Sequence, residues 1–313
     1  MAKLPDCLLL LFLPFRIFYH FLKAVCLALT PDRLRKKKNL SSEIVVITGG
    51  GSGIGRCLAL QLARTGAQIV IWDVNATGAE VVRQEITQNG GRAFVYQCDV
   101  SDRQQVYAVA SRVQADVGPV SVLVNNAGIV NGRCFLDTPD EDVLRVMGVN
   151  TLGNFWTVKA ILPSMMDRDR GHIVTVASVA GYAGICRMAD YCASKAAIIA
   201  FHETLALEIR SSGKRGILTT LVCPFLTRTG LFEGAQSRFP FLIPMLEPDY
   251  LAGQIARSIV LEERHLVLPH TMRFLLPLYR ILPTAILESE DDIFGQYSCM
   301  EQFAGNTSTA KSA

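Results

Sequence analysis

The feature that most constrains this chain is a glycine-rich turn between a short strand and a helix. Residues 44–48 are apolar and largely β-branched, residues 48–55 read TGGGSGIG, and a helical segment follows. In this order, the glycines let the backbone approach a pyrophosphate, and the helix N-terminus offers free N–H groups and a positive dipole end. A glycine loop that serves only as a turn is the alternative. The pattern predicts a dinucleotide site formed by Gly49, Ser52, Gly53, Ile54 and Gly55.

Short β-branched runs recur along the chain and are separated by longer stretches with helical periodicity. The predicted strands are residues 44–48, 68–72, 92–97, 120–124, 172–176 and 217–222, with 266–268 as a final strand. Strands that are apolar on both faces and alternate with helices are typical of a doubly wound parallel sheet covered by helices on both sides. The sequence therefore predicts a Rossmann-type α/β fold in a single domain over residues 41–270.

The second predicted strand ends close to Asp73, eighteen residues after Gly55. A carboxylate at this position can accept hydrogen bonds from the adenosine ribose hydroxyls. It would also repel a 2′-phosphate, since the Coulomb energy at about 4 Å and a dielectric near 20 is roughly 4 kcal/mol. Ser52 adds no basic group to offset this repulsion. We therefore predict NAD rather than NADP, and the structural alternative is that Asp73 is a helix cap.

Two apolar segments lie towards the ends of the chain. Residues 7–29 are long enough to span a bilayer, although the apolar run is interrupted by Pro14, Arg16, His20 and Lys23. The last three share one helix face, so an interfacial helix fits as well as a spanning one, and a secretory signal peptide is a further alternative. Residues 265–287 are apolar again, which suggests either a second membrane contact or ordinary packing on the body.

Charge is distributed unevenly along the chain. Residues 1–43 hold eight basic and three acidic residues, a net charge of +5, which leaves −2 for the remainder of a chain whose total is +3. A slightly acidic body with scattered basic residues argues against nucleic-acid binding. The basic cluster at 33–38 would be attracted to anionic headgroups and retained in the cytosol. We predict that residues 1–40 are a membrane anchor with a basic flank and that the body faces the cytosol.

The cysteines and histidines argue against two further kinds of site. The chain has nine cysteines, an odd number with no CxxC pair, and its five histidines are not clustered. This pattern fits neither a disulfide framework nor a zinc site, so we predict reduced thiols and no bound metal.

From the glycine turn onward, the chain resembles the short-chain dehydrogenase/reductase family over roughly residues 42–270. The likeness is carried, in chain order, by TGGGSGIG at 48–55, CDV at 98–100, NNAG at 125–128, Asn150, Ser178 and YCASK at 191–195. The resemblance implies an NAD(P)-dependent oxidoreductase and a symmetric subunit contact through the helix of Tyr191, hence a homo-oligomer. The further cofactor contacts that it implies are Asp99, Val100, Asn126, Ala127, Gly128, Tyr191 and Lys195.

The resemblance assigns catalysis to Asn150, Ser178, Tyr191 and Lys195. A phenol with a pKa of about 10 is a poor base at neutral pH, so the pKa of Tyr191 must fall. Lys195 lies one helical turn away, and its ammonium together with an oxidised nicotinamide would favour the phenolate. Ser178 can position the substrate oxygen, and Asn150 can hold a water that links Lys195 to solvent. Taken singly, Tyr191 and Lys195 also fit a surface pair. Ser178 also fits a strand-end cap, and Asn150 a position inside a helix.

The segment at 225–246, where the family places its substrate lid, is unusually apolar and reads FLTRTGLFEGAQSRFPFLIPML. Burying such side chains against a long hydrocarbon is favourable at roughly 25 cal/mol per Å². The same side chains could also dock on a bilayer. Phe225 stands where the family usually carries glycine, and we predict that Ser178 and Phe225 contact the substrate.

Within the family, the chain is most similar to the group of retinol dehydrogenase 10 and epidermal retinol dehydrogenase. The likeness rests on the strings WDVN, NNAGIV, HIVTVAS, DYCASK and LVCPF, the apolar N-terminus and Cys299-Met300. It implies a lipophilic alcohol, all-trans-retinol, as the substrate and the endoplasmic reticulum membrane or a lipid droplet as the location. An NADP-linked retinaldehyde reductase, a steroid or fatty-alcohol dehydrogenase and a non-catalytic membrane protein remain alternatives. Residues 271–313 would be an apolar extension and flexible tail.

Overall fold

In a computed structural model that describes residues 6–283, 286 and 295–303, seven parallel strands form one sheet. The strands are β1 (Ile44–Thr48), β2 (Gln68–Asp73), β3 (Arg92–Gln97), β4 (Val122–Asn125), β5 (Gly171–Val176), β6 (Ile217–Pro224) and β7 (His265–Leu268). Their order in the sheet is β3-β2-β1-β4-β5-β6-β7. The order reverses between β1 and β4, and the carboxyl ends of the strands beside such a reversal form a crevice where ligands bind.

Helices of the second part of the chain cover both faces of this sheet. In chain order the helices are α1 (Asp6–Leu29), α2 (Gly53–Ala63), α3 (Ala76–Gln88), α4 (Arg103–Asp116), α5 (Asp140–Met147), α6 (Gly153–Arg168), α7 (Ala189–Ser211), α8 (Pro248–Val260) and α9 (Met272–Ile281). Apolar side chains of α2, α3 and α8 pack on one face, and those of α4, α6 and α7 pack on the other. The predicted doubly wound parallel fold is therefore confirmed, with strand ends within two residues of the predicted positions.

The chain divides into two units, Met1–Lys38 and Asn39–Ala313. The first contains α1, which includes Pro14, and a short 3₁₀ turn at Asp32–Leu34. Among the described residues, none of the helices combines the length and the apolar character needed to cross a membrane. The membrane anchor stays a prediction.

The apolar segment predicted at 265–287 is not one element in the structure. It divides into β7, whose last three residues are buried, and the amphipathic helix α9. Residues 284–285 and 287 of this segment, like the tail that follows Phe303, lie outside the described residues. Residues 295–303 pack on the body, because Cys299 and Met300 are buried within an apolar cluster.

Candidate active site

The glycine turn joins β1 to α2 in a shape that larger residues would not permit. Gly49 has a φ of +64° and Gly53 a φ of +51°, values that L side chains rarely adopt. A Cβ on Gly55 would overlap the Gly49 carbonyl oxygen, and a Cβ on Gly51 would lie 2.9 Å from Asp73 Oδ2. The turn is therefore held tightly against the ends of β1 and β2.

Asp73 fixes this turn through both of its carboxylate oxygens. Oδ2 accepts a hydrogen bond from the Gly51 N–H at 2.8 Å, and Oδ1 accepts one from the Asn75 N–H at 2.9 Å. The side chain of Asn75, not that of Asp73, caps α3 by accepting from the Gly78 N–H. The helix-cap alternative for Asp73 is thus wrong, and the carboxylate is held in one orientation beside the turn.

Asn126 connects β1 and β4 at the point where the strand order reverses. Its Nδ2 donates to the carbonyl oxygens of Thr48 at 3.0 Å and Gly49 at 3.2 Å. The N–H groups of Asn126 and Ala127 both donate to the Thr48 hydroxyl, at 3.0 and 3.1 Å. These bonds fix the crevice between the two strand ends.

Asp99 and Val100 follow β3, two strands away from the crevice on the same edge of the sheet. Asp99 Oδ1 accepts hydrogen bonds from the N–H and the hydroxyl of Ser101, at 2.9 and 2.6 Å. Val100 is buried and packs where α6 begins, since a Cβ on Gly153 would lie 3.0 Å from Val100 Cγ2. Neither residue lines the cleft described next.

A cleft at the carboxyl ends of β4, β5 and β6 brings together the predicted catalytic and substrate residues other than Asn150. Its empty volume is about 640 Å³, including its open mouth. We call it the catalytic cleft. Predicted site residues in its lining are Ile54, Asn126, Gly128, Ser178, Tyr191, Lys195 and Phe225. The lining thus joins the glycine turn of α2 to the helix of Tyr191.

Tyr191 and Ser178 interact within this cleft. Both side chains are buried, and burial raises the pKa of the Tyr191 hydroxyl, while its hydrogen bond with Ser178 acts in the opposite direction. Ser178 Oγ also accepts from the Ala180 N–H at 3.1 Å and therefore caps the short 3₁₀ turn that follows β5. The strand-end cap and the position beside Tyr191 are both properties of this serine.

Lys195 lies one turn after Tyr191 on α7, as its spacing predicts. Its Nζ donates to the Val176 carbonyl oxygen at 3.1 Å and lies 5.5 Å from the centroid of the Tyr191 ring. Burial lowers the pKa of Lys195 to about 8. In the protein alone, burial is therefore the largest influence on the pKa of both residues, and it disfavours both the phenolate and the ammonium.

The sequence suggested a position for Asn150 inside a continuous helix. In the structure Asn150 lies instead in a π-type turn, Gly148–Leu152, between α5 and α6. Such turns occur often at functional sites. Asn150 Oδ1 accepts from the Ile129 N–H at 2.8 Å, and Nδ2 donates to the Ile129 carbonyl and the Ser194 hydroxyl. Both amide hydrogens are thus in use. The main-chain carbonyl oxygen of Asn150 accepts a hydrogen bond from Asn154 Nδ2 at 2.8 Å.

Several cleft residues were missed by the sequence interpretation. Thr227 and Thr229 of the lid, defined as residues 225–246, line the cleft beside Ile54. Gly53 packs against Thr229, whose Cγ2 would lie 3.5 Å from an added Cβ. The hydroxyls of Thr227 and Thr229 at the start of the lid were the available signal.

Residues 295–303, which we call the C-terminal wall, close one side of this region. The Gln236 N–H donates to the Cys299 carbonyl at 3.0 Å, and the Cys186 N–H donates to the Gln296 carbonyl at 2.9 Å. Met300 is fully buried in the apolar cluster that also contains Tyr191. The wall therefore links the lid to the loop that precedes α7.

A second cavity, the apolar chamber, adjoins the catalytic cleft. It has an empty volume of about 690 Å³, including its open mouth, and it shares Val179, Ile185 and Phe225 with the cleft. The remaining walls come from the loop before α7, from the lid, from α9 and from the C-terminal wall, and their apolar residues are Ala183, Phe239, Ile243, Met272, Leu275, Leu276, Tyr279 and Cys299. Phe225 thus lies between a polar reaction site and an apolar space.

The residues at the carboxyl edge of the sheet fit a dinucleotide. Gly49, Gly51 and Gly55 have no side chains that would cover the backbone of the turn. Within the described residues, no side chain caps the N-terminus of α2. Free N–H groups at a helix N-terminus bind phosphate well. Asp73 and the cleft with Tyr191 lie at opposite sides of this turn, as the two ends of a dinucleotide require.

Comparison with protein families matches residues 43–238 to the short chain dehydrogenase model. Short-chain dehydrogenase/reductase family 16C member 6 from Bos taurus is 41% identical over 92% of this chain and 90% of its own. Epidermal retinol dehydrogenase 2 from Homo sapiens is 44% identical over 85% of each chain. Retinol dehydrogenase 10-A from Xenopus laevis is 40% identical over 92% of this chain and 93% of its own.

Solved structures share the fold. A short chain dehydrogenase/reductase from Burkholderia phymatum in complex with NAD superposes with a TM-score of 0.71 at 26% identity, over 80% of this chain and 95% of its own. A metagenomic short-chain oxidoreductase in complex with NADP superposes with a TM-score of 0.63 at 28% identity, over 74% and 98%. The similar structures thus include complexes with either nicotinamide cofactor.

Proposed function

The chain belongs to the short-chain dehydrogenase family and is an NAD(P)-dependent oxidoreductase, as its motifs predict, and we propose that it oxidises all-trans-retinol to retinaldehyde with NAD. The observation that carries the substrate proposal is the apolar chamber next to Ser178 and Tyr191. The names of the relatives support a retinoid over other lipophilic alcohols.

The proposed mechanism assigns one task to each residue of the catalytic cleft. When bound, NAD supplies the acceptor for the hydride that leaves the alcohol carbon. Ser178 donates a hydrogen bond to the substrate oxygen and positions it, and Tyr191, as the phenolate, accepts the hydroxyl proton and becomes the neutral phenol. The Lys195 ammonium stabilises the phenolate before this transfer. The Asn150 carbonyl holds a water through which the proton leaves.

Asp73 supports NAD over NADP in this proposal. Its carboxylate is held beside the glycine turn by the N–H groups of Gly51 and Asn75, so it cannot rotate away without breaking those bonds. A 2′-phosphate at about 4 Å would meet a repulsion of roughly 4 kcal/mol before screening. Even a screened fraction of that energy gives about a tenfold preference.

The lining of the chamber supports a long hydrocarbon substrate. Ligand pockets are lined mainly by apolar and aromatic side chains with a few polar groups. The chamber has such walls, with Phe239, Leu275 and Leu276 in its lining. A polar head at Ser178 and an apolar tail past Phe225 would use both cavities at once.

A substrate panel tests the proposal. Full-length protein in mild detergent is assayed with NAD and NADP on all-trans-retinol, a steroid alcohol and a fatty alcohol, and in reverse on retinaldehyde. We expect retinol with NAD to give the highest kcat/KM, with at least about a tenfold margin over NADP. Highest activity on retinaldehyde with NADPH would instead make the protein a reductase. Highest activity on the steroid or the fatty alcohol would retain the mechanism and replace the substrate.

We further propose that the protein is attached to the cytosolic face of the endoplasmic reticulum or to lipid droplets. Support comes from the apolar residues that α1 exposes and from the basic residues that follow it at 33–38. Deletion of residues 1–38 removes the whole first unit. We expect flotation with liposomes to fall only partly, because residues 265–287 supply a second contact. Full solubility of the truncated protein would exclude that contact.

A homo-oligomer is the last part of the proposal. Small residues of α7, namely Ala193, Ala196, Ala197 and Ala200, lie at its accessible face and permit close helix approach. Light scattering in mild detergent, with the protein kept above micromolar concentration, should give at least a dimer. A monomer at every concentration would contradict it.

A further inference from the structure

Helix α9 is apolar on two opposite faces. Met272, Leu275, Leu276 and Tyr279 follow the i, i+3, i+4, i+7 spacing of one face and line the apolar chamber. Phe274, Leu278 and Ile281 follow the same kind of spacing on the other side, with 78%, 44% and 79% of their surfaces exposed. A helix that is apolar on both faces needs an apolar environment on both. The chamber explains only the inner face.

The tip of the lid continues this exposed apolar surface. Phe241 is 86% exposed, and Leu242 accepts a hydrogen bond at its carbonyl from the Thr271 hydroxyl, just before α9 begins. The ring of Phe241 contacts that of Phe239 edge-on, with centroids 6.2 Å apart, and Phe239 lines the chamber. This aromatic pair therefore extends from the lining of the chamber to the outer surface.

The charges on α9 favour a lipid surface as the occupant of this face. The helix carries Arg273 and Arg280 and no acidic residue. Seven residues apart, the two arginines lie on one flank of the helix, between the inner and outer apolar faces, and both are exposed. Basic residues at the edge of an apolar face are typical of helices that lie in a membrane interface, where anionic headgroups attract them at about 1 kcal/mol each.

We propose that the outer face of α9 and the lid tip (Phe241, Leu242, Phe274, Leu278 and Ile281) form a bilayer-docking surface through which hydrocarbon substrates enter the apolar chamber directly from the membrane. This inference rests on the proposed function only for the identity of the hydrocarbon that enters the chamber. Docking of α9 and the lid tip on a bilayer does not require the enzyme to turn over substrate. A substrate dissolved in the acyl region would then reach Tyr191 without crossing water.

Photochemical labelling tests the docking surface in the full-length protein. Vesicles of phosphatidylcholine, with and without phosphatidylserine, carry a photoreactive group on the acyl chain, and the labelled peptides are mapped by mass spectrometry. We expect labels on α9 and on residues 239–242, and more of them when phosphatidylserine is present. Because residue positions are read directly, attachment through α1 does not obscure the result.

A double variant and a matched control sharpen the test. Phe274→Glu with Ile281→Glu places two charges on the outer face without touching the chamber lining, whereas Val81→Glu with Leu144→Glu changes exposed apolar residues of α3 and α5. The first pair should reduce labelling of α9 and raise KM for retinol in vesicles at least about tenfold, with kcat and the melting temperature unchanged. The control pair should alter neither quantity.

Three outcomes of these experiments would each uphold or overturn the docking surface. Labels confined to residues 6–29, or equal labelling of α9 in both double variants, overturn the docking surface. Loss of self-association in the Phe274→Glu and Ile281→Glu variant, with no change in labelling, also overturns it and assigns the face to a second copy of the chain. Labelling of α9 in a protein that oxidises none of the alcohols upholds the surface and overturns only the proposed function.

Discussion

The two sides of the catalytic cleft are built in different ways. The cofactor side consists of strand ends and a turn, and its key contacts involve main-chain atoms, as in the bonds from Gly51 to Asp73 and from Asn126 to Gly49. The substrate side consists of apolar side chains from separate segments, namely the loop before α7, the lid, α9 and the C-terminal wall. Backbone geometry constrains the first side, while side-chain volume shapes the second.

This difference indicates which changes each side tolerates. A backbone turn without room for a Cβ fails at a single added methyl group, whereas an apolar cavity adjusts its rotamers at moderate cost. The cofactor side should therefore respond sharply to small changes and the substrate side gradually. Tyr191 and Lys195 lie where the two sides meet.

The largest effect is expected at Tyr191, because its hydroxyl takes part in the proton transfer of the proposed reaction. Tyr191→Phe should lower kcat at least about 10³-fold, the upper part of the range for a lost general acid or base. The dissociation constants for NAD and retinol, measured by fluorescence titration, should stay within about twofold of wild type, since Lys195 and the glycine turn hold the dinucleotide and the apolar chamber holds the hydrocarbon in the proposed complex. Turnover above a few per cent of wild type would remove Tyr191 from the proton transfer.

Lys195 offers a test by pH. Burial lowers its pKa from 10.5 to about 8, so between these values the unfolded chain binds more protons than the folded protein. The free energy of unfolding should therefore rise with pH, by about 2 kcal/mol between roughly pH 8 and pH 9.5. Lys195→Met should remove this rise in urea titrations of the protein without cofactor. Lys159→Met, on the exposed surface of α6, should retain it, and an equal slope in both variants would contradict the pKa assignment.

The same substitution in each region compares them directly. A Cβ at Gly55 would overlap the Gly49 carbonyl, whereas Gly184, in the loop before α7, has open space around it. Gly55→Ala should cost about 1–3 kcal/mol of stability and weaken NAD binding roughly tenfold, and Gly184→Ala should change neither. Thermal unfolding and calorimetric titration with NAD measure both quantities. Equal effects would show that the two sides are equally rigid.

The smallest effect is expected at Asp73. Asp73→Asn removes the charge and keeps one oxygen that can accept from Gly51 or Asn75. The ratio of kcat/KM with NAD to that with NADP should narrow about tenfold, and kcat at saturating NAD should not change. Affinity for both cofactors should also decline, because one of the two bonds to the turn is lost. A ratio that does not move would exclude Asp73 as the source of the preference.

The sequence predicted the positions of the glycine turn and of the strand ends well, because glycines and strand ends act locally. The turn at 48–55, Asp73 and the Tyr191–Lys195 spacing each depend on residues that are near in the chain or on neighbouring parallel strands. Asn150 was placed in a helix interior because a π-type turn has no distinct sequence pattern. The chamber and the C-terminal wall were missed, because residues more than a hundred positions apart form them, such as Val179 and Cys299. The roles of the site residues stay predictions.

Phe225 lies in the lining of both the cleft and the chamber, so its position should determine how activity depends on the hydrocarbon length of the alcohol. In the proposed function, a short alcohol would fill only the space before this ring. Each further methylene that passes the ring would add about 0.8 kcal/mol of transfer free energy until the chamber is full. In a homologous series of alcohols, kcat/KM should thus stay constant for short chains, rise steeply with length and then reach a plateau. The position of the Phe225 ring sets the length at which the rise begins.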